Sequence, residues 1–136
     1  MFILSVKDVF SAAHKLENYN GKCEELHGHN FVVEAVFEGE TLGSDGMLVD
    51  FKILKQYLKN ALDTLDHKYL NEISFFAERA SSSECIAMFI FNTIKLAIKE
   101  KNIFLKRMKI IFSAFYNFTG RSGTDHRLSG DEYRYV

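Results

Sequence analysis

The chain has 136 residues, of which 47% are hydrophobic and 26% charged, a composition that fits one globular domain spanning 1–136 and excludes intrinsic disorder. Seventeen basic residues against eighteen acidic ones leave a net charge of −1, which argues against a nucleic-acid partner held by phosphate neutralisation. Two cysteines, Cys23 and Cys85, are too few for a disulfide scaffold.

Met1 leads directly into an alternating pattern, Phe2, Leu4 and Val6, which predicts a first strand over 2–16. No leader-like segment precedes it, and every apolar run is short and broken by charges. The expectation is therefore a cytoplasmic chain with no membrane partner. Glu17 to Gly28 is polar and carries the turn signal Asn18-Tyr19-Asn20-Gly21. From His29 the alternation resumes, with Phe31, Val33, Ala35 and Phe37 on one face of a second strand, so that the two strands form a long hairpin. Gly43-Ser44-Asp45-Gly46 reads as a turn.

Asp50 sits at an N-cap position before Phe51, Leu54, Leu58, Leu62 and Leu65, whose spacing predicts one buried helical face. This run closes at Asp66-His67-Lys68, and Asn71 begins a loop. Ser81 with Glu84 offers a capping box for a second helix, with a stripe of Ile86, Phe89, Ile90, Ile94, Ala97 and Ile98 that ends near Lys101-Asn102. A strand is expected over Phe104 to Phe118, with Met108, Ile110, Phe112 and Ala114 on one face, and Tyr133 to Val136 adds a last short one. Thirteen Phe and no Trp or Pro point to an aromatic core. The order β-β-α-α-β describes an α+β domain, two helices packed on one face of an antiparallel sheet.

The chemistry concentrates in the histidines. His27 and His29 are two apart, so in an extended strand both imidazoles share a face, and the hairpin brings His14 opposite them. Three imidazoles with one open position match a catalytic zinc site. A fourth ligand from Cys23 would instead close the site and leave it inert, and reach alone does not separate the two. Gly28 between the ligands is read as permitting close approach of backbone or substrate. Asp66-His67 places a carboxylate beside an imidazole, the orienter-and-base arrangement of acid–base sites, or else a cation favoured at a helix C-terminus. Cys85, beside Ile86, is expected in the core.

Five blocks occur together: Phe10-Ser11-Ala12-Ala13-His14, Cys23-Glu24-Glu25-Leu26-His27-Gly28-His29-Asn30, Val49-Asp50-Phe51, Leu65-Asp66-His67-Lys68-Tyr69-Leu70-Asn71, and Ser82-Ser83-Glu84. In this order they resemble the 6-pyruvoyltetrahydropterin synthase family, which includes the 6-carboxytetrahydropterin synthases of queuosine biosynthesis. The resemblance implies a tunnelling fold, a four-stranded antiparallel sheet with two helices on one face. It also implies homo-oligomers, trimers or stacked pairs of trimers, with active sites between subunits. It assigns His14, His27 and His29 to Zn2+, Cys23 as general base, and Asp66 with His67 as a relay from a neighbouring subunit. Ser82, Ser83 and Glu84 would bind the substrate, 7,8-dihydroneopterin triphosphate. The metal would act as a Lewis acid on the substrate's hydroxyls. The carboxy product is favoured, and the pyruvoyl product is the alternative.

One departure stands out. The family carries a pterin-binding glutamate on the last strand, whereas no acid occurs here between Glu100 and Asp125, and Phe112 or Ser113 fills the expected place. The proline of the family's Pro-Thr-Ser-Glu block is also missing, Ser81 standing before Ser82. Leaving ring donors unpaired costs about 1–3 kcal/mol each when buried. Three solutions stay open: Glu84 acting alone, a tail acid such as Asp131 or Glu132, or a different substrate. Two readings compete with the lyase: a non-catalytic zinc-bound homologue, and metal-assisted hydrolysis using Glu24 or Glu25.

Overall fold

The computed structural model describes residues 1–17, 26–112 and 132–135. The chain begins with a long antiparallel pair, β1 (Phe2–His14) and β2 (His27–Gly39), in register from Phe2↔Gly39 to His14↔His27. The expected alternation holds. Val6, Phe10, Ala12 and His14 point inward from β1, while Phe31, Val33, Ala35 and Phe37 of β2 are wholly buried. Strand β2 starts two residues earlier than the apolar alternation suggested, because His27 pairs with His14. The turn at 43–46 forms as expected, closed by the Gly46 N–H to the Gly43 carbonyl at 3.0 Å, with Gly46 at φ 76° where only glycine is unstrained.

Helix α1 (Phe51–Asp63) is capped by the Asp50 carboxylate, which accepts from the Lys52 N–H at 2.8 Å. Leu54, Leu58, Ala61 and Leu62 are buried, whereas Phe51, expected on this stripe, lies in the first turn and is exposed. Past α1 the chain makes a two-residue strand, β3 (Lys68–Tyr69), a 3-10 turn (Leu70–Glu72) and a single-turn helix, α2 (Ser74–Ala77), where a plain loop was expected. Helix α3 (Ser83–Ala97) buries Ile86, Ala87, Ile90, Phe91 and Ile94. Its stripe swings toward Phe91 and leaves Ala97 exposed, and the helix stops short of the expected end.

Strand β4 (Phe104–Phe112) pairs antiparallel with β2, and β5 (Glu132–Tyr135) with β4. A shift in register between Val36 and Phe37 leaves Lys106 as an extra residue on β4. Leu105 therefore joins Met108 and Ile110 in the core, and the Lys106 ammonium lies 3.3 Å from the Glu38 carboxylate. The remainder of the strand expected to Phe118 lies outside the described residues.

The sheet order is β3-β1-β2-β4-β5, with β3 parallel to β1 and every other pairing antiparallel. The expected four-stranded antiparallel sheet is thus present and gains a short parallel edge. Helix α1 covers β1 and α3 covers β4 and β5, so the core is one layer between the sheet and the two long helices. No helix of the described residues is long and apolar enough to cross a membrane.

Candidate metal centre

The inward stripe that builds the core also builds the site. Phe10 stacks on Phe31 at 4.8 Å, and the next inward positions toward the β1–β2 connection are His29 and the pair His14 and His27. The ring centroids of His14, His27 and His29 lie 4.5–5.1 Å apart, and His14 and His29 each pack T-shaped with Phe31, centroids 5.9 and 5.5 Å apart. His14 and His29 are buried, 4% and 6% exposed, polar groups in an otherwise apolar layer.

One ring nitrogen from each histidine converges, all within 4.8 Å of one another. His14 Nδ1 donates to the Ser81 carbonyl at 2.6 Å, which fixes its tautomer and turns the basic Nε2 toward the other two rings. The atoms His14 Nε2, His27 Nε2 and His29 Nδ1 are buried and, among the described residues, accept no hydrogen bond. Lone pairs converging in this way would be costly unless something occupies the space between them, and borderline-soft imidazole donors suit a zinc-like cation. The three residues therefore fit a metal ion.

Burial lowers the His14 pKa below its usual value, with the Ser81 bond partly opposing and the charge on His27 adding to the effect. The unfolded chain then takes up the proton first. In metal-free protein this contribution to stability is complete above about pH 6.5 and is lost as the pH falls through that value toward the lower folded one. Denaturant midpoints measured with chelator at about pH 7.5 and about pH 5.5 are expected to drop, and to drop less in His14→Gln. An equal drop in both proteins would remove His14 as the cause.

Asp66 and His67 lie on the outer side of β1. Asp66 Oδ1 accepts from the Ser11 N–H at 2.9 Å, and Oδ2 lies 2.9 Å from His67 Nδ1. The Ser11 bond, reinforced by His67, holds Asp66 below the usual carboxylate range. His67 has φ 56°, and its N–H donates to the Ser11 carbonyl at 2.6 Å, so the chain reverses here to lay β3 beside β1. Its side chain is 82% exposed. The helix-end explanation of His67 does not hold, because α1 finishes at Asp63 with Thr64 as its cap, leaving His67 beyond the last turn.

Ser82, rather than Ser81, caps α3, its hydroxyl accepting from the Cys85 N–H at 3.2 Å. The expected capping box with Glu84 does not form, because Ser81 is buried and committed elsewhere: its hydroxyl lies 2.8 Å from Asn71 Oδ1 and its carbonyl holds His14. Ser83 is buried in the first turn, and Glu84 is exposed there. Gly28 opposes Ala13, and among the described residues a Cβ at Gly28 would meet only the Ala12 carbonyl, at 3.8 Å, an ordinary contact that does not itself require glycine. Cys85 is half-buried against the core, as expected. Cys23, Glu24, Glu25, Ser113 and Asp131 lie outside the described residues, and the backbone of Glu132 pairs with Ile111 at the sheet edge. Sequence reasoning missed what Asn71 and Ser81 do, the only signal being that Asn71 closes the Leu-Asp-His block and Ser81 directly precedes the Ser82-Ser83-Glu84 block.

Residues 3–114 match the model of a family described as 6-pyruvoyl tetrahydropterin synthase. A Synechocystis protein named 6-carboxy-5,6,7,8-tetrahydropterin synthase is 39% identical over 102 residues, 71% of this chain and 78% of that one. A Caenorhabditis elegans protein named putative 6-pyruvoyl tetrahydrobiopterin synthase is 33% identical over 112 residues, covering 73% of this chain and 80% of its own length. The solved structure of C. elegans 6-pyruvoyl tetrahydropterin synthase superposes with a TM-score of 0.72 at 28% identity, covering 99% of this chain and 96% of that chain.

Proposed function

This chain belongs to the 6-pyruvoyl tetrahydropterin synthase family, and we propose that it is a zinc-dependent lyase converting 7,8-dihydroneopterin triphosphate to 6-carboxy-5,6,7,8-tetrahydropterin, as a single domain over 1–136. The observation that carries the reading is the convergence of His14, His27 and His29 from two paired strands. They would hold the zinc, which when bound supplies Lewis acidity toward the substrate's side-chain hydroxyls. Cys23, four residues before His27, acts as the general base. Asp66 orients the His67 imidazole, whose exposure leaves it available to a neighbouring copy of the chain. Such a homo-oligomer is supported by the edge of β1 before Ser11, which no strand of the described residues covers.

Ser82, Ser83 and Glu84 are the substrate-binding candidates, with the cap of α3 keeping the first turn ordered. The pterin ring is held without the family's strand glutamate. Glu84 is exposed at the helix start, and the backbone of residue 132 pairs with Ile111, the residue before Phe112.

Product analysis of zinc-loaded protein with dihydroneopterin triphosphate tests the reading. Triphosphate and acetaldehyde released together identify the carboxy reaction. Triphosphate without acetaldehyde identifies the pyruvoyl reaction, which the 33%-identical C. elegans relative keeps in view. Zinc bound with no substrate consumed identifies a non-catalytic homologue.

A further inference from the structure

Strand β1 stops at His14, yet the strand pattern of the sequence runs on to residue 16, and the reason lies in what replaces a strand partner there. Beside β1, residues 66–69 run in parallel: Asp66 and His67 hold Ser11, and Lys68 and Tyr69 pair with Ala12 and Ala13. The chain then turns away into the 3-10 segment, and a side chain takes over. Asn71 Oδ1 accepts from the Lys15 N–H at 3.0 Å, and Asn71 Nδ2 donates to the Lys15 carbonyl at 2.8 Å. One amide therefore satisfies both backbone groups of Lys15, as a facing residue of an antiparallel strand would. The Ser81 hydroxyl lies 2.8 Å from Asn71 Oδ1 and 3.2 Å from the Lys15 carbonyl, while the Ser81 carbonyl accepts from His14 Nδ1 at 2.6 Å. His14 is thus held on two sides, its backbone through Lys15 and its ring through Ser81, and Asn71 ties the two holds together.

We propose that Asn71 is a positioning residue for the metal centre, acting with Ser81 to lock His14 in place and in the tautomer that offers Nε2. This rests on the reading of the three histidines as a metal site. An outer-shell partner that orients a ligand typically changes metal affinity by about 10–100-fold when removed. Asn71 also borders a cavity of about 300 Å3 lined by Lys15, Phe76 and Arg79. Truncation there admits water instead of collapsing the core, so the fold is expected to survive.

The test is zinc affinity by competition with a chromophoric chelator, for the parent, Asn71→Ala, Asn71→Asp and Tyr57→Phe. The last variant removes a hydroxyl that donates to Glu100 at 2.7 Å and accepts from the Lys99 N–H at 3.2 Å, away from the Lys15–Asn71–Ser81 bonds, so it reports generic destabilisation. Asn71→Ala is expected to lose about 10-fold or more in affinity and to alter the visible spectrum of the cobalt(II)-loaded protein. Asn71→Asp keeps the acceptor for the Lys15 N–H and is expected to lose less; if the alanine variant does not fold, the same affinity and spectrum are read on it. Affinity and spectrum matching the parent, or an equal loss in Tyr57→Phe, overturn the proposal. A parent that binds no zinc overturns instead the metal reading beneath it.

Discussion

His29→Ala is expected to strip the protein of zinc and of turnover together, while the metal-free fold persists. His29 sits one pleat from Phe31 on the buried face of β2, opposite Ala12, with one ring nitrogen within 4.8 Å of a nitrogen of each of the other two rings. Two imidazoles remain after the substitution, and a two-ligand site cannot hold the ion against the water and buffer that compete for it. The loss should exceed the about 10–100-fold cost of disturbing an outer-shell partner. The fold should tolerate the change because the ring is not part of the apolar cluster built on Leu54, Leu58 and Ile90. Metal analysis after dialysis, alongside circular dichroism, checks both halves. Stoichiometric zinc in the variant, bound as tightly as in the parent, would show that the three rings are not the site.

The convergence of the histidines was legible because it follows from two local facts: a period of two places His27 and His29 on one face, and a hairpin sets His14 against His27. The same period marked Phe31, Val33, Ala35 and Phe37 as core, and all four are buried. What was not legible depends on contacts distant in sequence. Lys68 and Tyr69 have no pattern of their own and become β3 only because Asp66 and His67 fasten the chain to Ser11. Ser81 satisfies the rule for a helix cap as well as Ser82 does, and the choice falls to Ser82 because the Ser81 hydroxyl and carbonyl are drawn to Asn71 and His14. The extra residue at Lys106 is invisible in an alternation that reads smoothly through Met108 and Ile110, yet it decides which side of β4 Leu105 occupies.

Cys23→Ala separates the lyase from its competitors more sharply than any ligand variant. Cys23 precedes His27 by four residues, so its backbone lies within about 14 Å of that ligand however the chain between them runs. A thiol near a divalent cation and imidazoles ionises more readily, and the thiolate is the form that accepts a proton from carbon. Removing a general base costs about 10²–10⁴ in rate, so kcat is expected to fall by that factor with zinc content unchanged. Were the sulfur a fourth ligand, zinc affinity would fall with the activity. Were the reaction a hydrolysis driven through Glu24 or Glu25, turnover would survive. The same logic extends to alkylation of the parent: iodoacetamide should react with Cys23 and silence the enzyme while the metal stays bound, because a base must reach the substrate and a ligand must not. Zinc that shields the sulfur from the reagent, with activity retained, would assign Cys23 to the metal and remove it from the chemistry.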